Sequence, residues 1–116
     1  MLELSGTIEK IEKSNISNVD ALFFKTEDGK TKIRIELPKT INPFKEADPA
    51  KLIFDTKPIE NPDTQKLILN AYIYSIKSGP EINTVLITAG GLQLKIETAN
   101  VYDDFKTKKD LNIQFF

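Results

Sequence analysis

The chain has 116 residues, enough for one core and too few for two ordinary ones, and 40% of them are apolar against 28% charged. It contains no cysteine and no histidine, which excludes disulfides, thiolate metal sites and histidine-based nucleophilic dyads. With 16 basic and 17 acidic residues the net charge is -1, so no global field draws the chain to nucleic acid.

The hydrophobic period is two along most of the chain, which predicts strands. Leu2, Leu4, Gly6 and Ile8 share one parity, and the apolar register then jumps to Ile11, as a bulge near Glu9 and Lys10 produces. Gly6 permits a sharp bend or a close backbone approach in the middle of this long first strand. Residues 14–18 read as a turn, 21–25 as a second strand, and Asp28-Gly29 as a hairpin signal of the kind in which both central residues have positive φ. Ile33, Ile35 and Leu37 alternate with Lys32, Arg34 and Glu36 in a third strand that Pro38 ends. Residues 39–49 read as a loop with Phe44 tucked against the core, and 51–56 as a fourth strand. Pro58, Asn61, Pro62 and Asp63 break the chain into two unequal parts, neither of which buries a core alone.

Residues 66–76 are apolar or aromatic on both parities, with Leu67, Leu69, Ala71 and Ile73 against Ile68, Tyr72, Tyr74 and Ile76. A strand buried on both faces, or covered outside by a partner, reads this way. Residues 82–88 and 92–97 flank Gly90-Gly91 as a second meander, Tyr102 and Phe105 are spaced like a short helical turn, and 111–116 form a last strand. About eight short strands, little helix and no evident internal repeat predict an all-β antiparallel barrel over residues 1–116. A bent first strand followed by a hairpin makes that barrel OB-like.

Candidate chemistry is sparse. Asp103, Asp104 and Asp110 lack the alternating spacing of a calcium loop, so no metal site is expected. Glu36, Asp55 and Glu97 lie on polar parities or at strand ends, as solvated acids do, and Ser5, Ser75 and Ser78 have no activating partner. No catalytic set and no cofactor follow. Phe23, Phe24, Tyr72 and Tyr74 are the platforms a free-standing OB-type binder of single strands would use. Phe23 and Phe24 face opposite sides of one strand, so at least one of them is core. The start carries acidic residues and no apolar leader segment, and no apolar run approaches the ~20 residues of a membrane helix, which predicts a cytoplasmic protein.

The segment TVLITAGGLQLKIE, a strand followed by Gly-Gly-Leu and alternating Leu94 and Ile96, resembles the small eighth subunit of eukaryotic RNA polymerases and its archaeal counterpart, the G subunit. The preceding KLILNAYIYSIKSG and the earlier NVDALFFKTEDGKTKIRIELPKTINPF are similar to that family in order and spacing. Ala89 stands where eukaryotic members tend to have an aromatic residue, and the long acidic insertion of their first half is missing, both of which point toward an archaeal member. The resemblance implies a non-catalytic subunit docked on the largest polymerase subunit, with DNA and RNA met only through the complex and the catalytic magnesium held elsewhere. Gly90, Gly91 and Leu92 are its centre. Gly90 and Gly91 either bring two backbones close at a docking edge or simply turn the chain, with Leu92, Tyr72 and Tyr74 as anchors.

Overall fold

The computed structural model describes residues 1–57, 65–102 and 105–116. Its strands are β1 (Leu2–Lys13), β2 (Val19–Thr26), β3 (Thr31–Pro38), β4 (Pro49–Asp55), β5 (Leu67–Ser78), β6 (Asn83–Ala89), β7 (Leu92–Thr98) and β8 (Lys109–Phe115). Neighbours pair antiparallel throughout, and the sheet closes in the order β1-β2-β3-β7-β6-β5-β8-β4. No helix forms among the described residues. The expected Pro58–Asp63 break and the Asp103-Asp104 pair lie outside them.

Closure depends on β1. Its first half pairs with β4, from Leu2 with Phe54 to Thr7 with Pro49, and from Gly6 onward it pairs with β2. The register with β2 shifts between Ile8 and Lys10, so Glu9 is the extra residue of a bulge. That bulge is why Ile11, on the other parity, also packs against the core. A strand that bends to pair on both sides is the OB-like feature of this barrel.

β5 repeats the device. It pairs with β8 through Leu67 to Ile73 and with β6 from Tyr72 onward, and its register shifts between Ile73 and Ser75. Tyr74 is the bulged residue, and Ile76 consequently returns to the inner side. The apolar run on both parities is therefore not a strand buried on two faces. Leu67, Leu69, Ala71 and Ile73 point inward before the bulge and Ile76 after it, while Ile68 and Tyr74 are exposed.

The two halves match strand for strand, a structural repeat where the sequence shows none. Ile8 faces Phe24 and Phe24 faces Ile33; in the second half Ile73 faces Ile87 and Ile87 faces Leu94. The seams obey the same two-fold relation. Ile33 pairs with Ile96 and Ile35 with Leu94, while Arg34 opposite Lys95 and Ile53 opposite Gln114 lie on the axis. The loops agree too. Ala47 and Lys108 both have positive φ, of 70° and 61°. Their N–H groups donate to the carbonyls of Ile8 at 2.7 Å and Ile73 at 2.8 Å. Phe44 packs on Phe115 and, correspondingly, Phe105 on Phe54, with ring centroids 6.1 and 5.3 Å apart. The rings of Tyr102 and Phe105 meet edge-on with centroids 5.7 Å apart, and the Phe105 N–H donates to the Tyr102 carbonyl at 3.1 Å; the residues between them lie outside the described ones.

The interior is filled by fully buried side chains such as Phe24, Phe54, Phe115, Leu22, Ile35 and Ile87. Each contributes about 1.5–3 kcal/mol, whereas exposed pairs such as Lys10–Glu12 contribute at most about 1 kcal/mol. The barrel is held from inside.

The turn at Glu27 to Lys30 differs from the expected tight hairpin. Only Gly29, with φ of 73°, is left-handed, and Asp28 takes the role of a cap. It accepts the Thr26 hydroxyl at 2.6 Å and the Lys30 N–H at 2.9 Å. The Thr26 hydrogen bond first, and the Lys30 N–H second, hold the Asp28 carboxyl below its ordinary value of 3.8. A carboxyl depressed in the folded state adds stability above its unfolded pKa and loses it as pH falls through the folded one. Acid titration of wild type and Asp28→Asn should therefore give stability curves that converge as pH falls through the depressed Asp28 pKa, with the wild-type excess confined to higher pH.

Candidate functional site

Closure leaves no free strand edge among the described strands, so a partner meets this barrel through side chains on outer faces and loops rather than by strand addition. Of the partner-site residues expected from the sequence, Tyr72 and Gly90 line one concavity, while Gly91, Leu92 and Tyr74 are not among its lining residues. Tyr72 sits on β5 between Thr88 of β6 and Asp110 of β8. With Asn70, Asn112, Thr56 and Gly90 these residues line a shallow concavity of about 410 Å³. Tyr72 is half-buried, Tyr74 is 39% exposed and Ile68 is 38% exposed. Leu92 is half-buried and pairs with Ala89 across the turn. The structure thus gathers Tyr72 and Gly90 at one concavity, with Leu92 at its turn and Tyr74 two residues further along β5.

Gly90 and Gly91 form the two-residue hairpin connection of β6 and β7, with φ of 58° and 87°. Two successive left-handed residues define the tight turn that matches strand twist. A Cβ on either glycine would meet no heavy atom of this chain within 4 Å. Within the chain these glycines therefore make no close backbone approach, and backbone conformation alone requires them. Gly91→Val should cost about 1–3 kcal/mol through that strain. Gly91→Asn, which tolerates the left-handed region, should recover most of it in a urea titration.

Two of the acids named in the sequence, Glu36 and Asp55, have local hydrogen-bond partners. Glu36 was expected on a solvated face, yet it is 8% exposed. It binds Arg34 at 3.3 Å and accepts the Gln93 N–H at 3.0 Å, which joins β3 to β7. Burial follows from its place at the seam, which alternation on a single strand does not reveal. Asp55 is held below the ordinary carboxylate value by the Thr56 N–H, the opposite of what a general acid needs. Among the described residues no group of three or more acidic residues is placed to hold a metal ion. No helix among them is long and apolar enough to cross a membrane.

Of the four aromatic platforms, Phe24 is core. Phe23 faces outward, half-buried, with the Lys10 ammonium 4.5 Å from its ring centroid.

No family model and no curated protein matches the chain. Among solved structures, the cytoplasmic molybdate-binding protein ModG, with molybdate bound, matches at a TM-score of 0.40 and 11% identity. The match covers 97% of this chain and 88% of that one. Likeness at that level lends no ligand to this chain, and its barrel rests on the strand pairing itself.

Proposed function

We propose that this chain is a non-catalytic assembly subunit of a multisubunit DNA-directed RNA polymerase, docked on the largest subunit through the outer face of β5. The resemblance of residues 66–97 to the eighth-subunit family supports the identity of the complex. The observation that carries the docking face is the comparison between the two halves. Ile68, Tyr72 and Tyr74 of β5 occupy the places that Glu3, Thr7 and Glu9 occupy in β1, in the same register and with the same bulge. A barrel half of this geometry folds with polar residues there, so apolar and aromatic ones serve something outside the barrel. Exposed apolar patches of this kind are characteristic of partner surfaces, and tyrosines are frequent anchors.

In this reading phosphodiester chemistry belongs to the large subunits, and the chain brings no cofactor of its own. The test is affinity purification of the tagged full chain from native lysate, with the large polymerase subunits identified by mass. They should copurify in stoichiometric amount and stay bound as salt is raised, because an apolar contact is little screened. Their absence overturns the proposal.

A further inference from the structure

We infer that the concavity between β5, β6 and β8 seats an arginine side chain of the docked partner, its guanidinium laid on the Tyr72 ring and bound by the Asp110 carboxylate. The pairing register sets Thr88, Tyr72 and Asp110 in one row across three strands, and Asn70 opposite Asn112 in the next. All five line the concavity of about 410 Å³, and none of its lining residues is a lysine or an arginine. Directly opposite residues hold their Cβ atoms about 5 Å apart, so Tyr72 and Asp110 serve one site. Asp110 is exposed, and its carboxylate has no hydrogen-bond or ion-pair partner among the described residues. Lys109, the preceding residue, lies on the inward parity of β8, opposite buried Ile73. Asn112 directs its amide nitrogen to the Thr56 carbonyl at 3.2 Å, which leaves its side-chain oxygen to accept. The concavity is therefore rich in acceptors, negatively charged and bordered by an aromatic ring.

The internal two-fold supplies the control. Where the second half has Asn70, Tyr72, Thr88, Asp110 and Asn112, the first has Ser5, Thr7, Lys25, Pro49 and Lys51 in the same pairings. The barrel closes there with two lysines and neither ring nor acid, so closure accounts for neither Tyr72 nor Asp110. An unpaired carboxylate beside a ring face complements a cation, and a purely apolar partner segment would leave it unmatched. Of the cationic side chains, arginine fits best. Asp110 and Asn112 stand two residues apart on one strand, about 7 Å. A planar fork with five donors can meet both a carboxylate and an amide oxygen while it stacks on a ring, whereas a compact ammonium engages one of them. The inference rests on β5 being the docking face, and not on the identity of the complex.

Two-dimensional amide NMR spectra of the full chain, titrated at low salt with N-acetylarginine amide, should show shifts concentrated at Tyr72, Thr88, Gly90, Asp110 and Asn112, with millimolar affinity. The neutral isostere N-acetylcitrulline amide should bind about tenfold more weakly, and N-acetyllysine amide about threefold. Tyr72→Thr, the first-half counterpart, should weaken arginine binding about fivefold and preserve its preference over citrulline. Asp110→Asn should remove that preference. Both variants should keep the wild-type unfolding midpoint. On the tagged chain, Asp110→Asn should also speed the wash-off of the large polymerase subunits about tenfold. Absence of shifts at these residues, equal binding of citrulline, or lysine binding as tight as arginine overturns the inference. So does wild-type wash-off from the Asp110→Asn chain. Arginine-selective shifts with no polymerase subunits captured by the wild-type chain would overturn the polymerase reading alone.

Discussion

Gly6→Ala is expected to cost about 3 kcal/mol or more and to leave little folded protein at moderate urea. An added Cβ would stand 2.0 Å from the Lys25 carbonyl oxygen, 2.7 Å from its carbon and 2.8 Å from the Thr26 Cα. All three are backbone atoms of β2, which cannot withdraw without opening the pairing that closes the barrel. Gly6 is also where β1 is shared, since it pairs with Thr26 on one side and Ala50 on the other. The second half sharpens the test. Its counterpart, Ala71, opposite Leu111, already carries a Cβ at the same corner. Ala71→Gly should therefore lose only about 1 kcal/mol through backbone entropy and lost packing. A urea series on both variants reads the contrast, and a Gly6→Ala barrel within about 1 kcal/mol of wild type would show that the corner yields.

Much of the barrel was legible because alternation is a local property. Leu4 and Ile8, or Ile33 and Ile35, announce an inward face without reference to any other strand, and each is buried. The first bulge was legible for the same reason, because polar Glu9 and Lys10 separate Ile8 from Ile11 and expose the change of parity. The second was hidden. Tyr74 and Ser75 separate Ile73 from Ile76, but Ile68, Tyr72 and Tyr74 fill the other parity with apolar surface, so inward and outward residues cannot be told apart by pattern. The repeat was hidden by divergence. Leu2 and Leu67, Leu4 and Leu69, Ile8 and Ile73, and Ile11 and Ile76 correspond, while the outward residues between them differ at nearly every place. Only the inward set is constrained by packing. Glu36 and the buried Thr31–Thr98 hydroxyl pair, 2.8 Å apart, were missed because both belong to seams between distant strands.

The candidate site stands on weaker sequence signals than the fold. Tyr72 and Tyr74 are visible as aromatics, but whether an aromatic on a strand faces core or solvent depends on register. The pair Phe23 and Phe24 illustrates this, since one is half-buried outside and the other fully buried inside. What makes outward residues interpretable is the internal comparison. Two halves with equal pairing have diverged in opposite directions, toward apolar surface on β5 and toward cations and one ring on β2 and β3. A single architecture thus presents two unlike faces, and neither is required by closure.

The second large effect is expected on β5. Replacing Ile68, Tyr72 and Tyr74 by their first-half counterparts, as Ile68→Glu, Tyr72→Thr and Tyr74→Glu, should abolish stable incorporation into the polymerase. Loss of two tyrosine anchors from a desolvated contact costs about 4 kcal/mol or more, and introducing two carboxylates into it adds an unpaired charge penalty. That is roughly a thousandfold in affinity. The barrel should not register the change, because the same three residues already occupy the equivalent places on β1, and the unfolding free energy should stay within about 0.5 kcal/mol of wild type. Mass-quantified copurification at low and high salt measures the first, and urea titration of the isolated chain the second. Full incorporation of a folded triple variant would remove β5 as the docking face. Incorporation lost at low salt but restored at high salt would mean that charge repulsion by the new glutamates, and not the missing apolar contact, had excluded it.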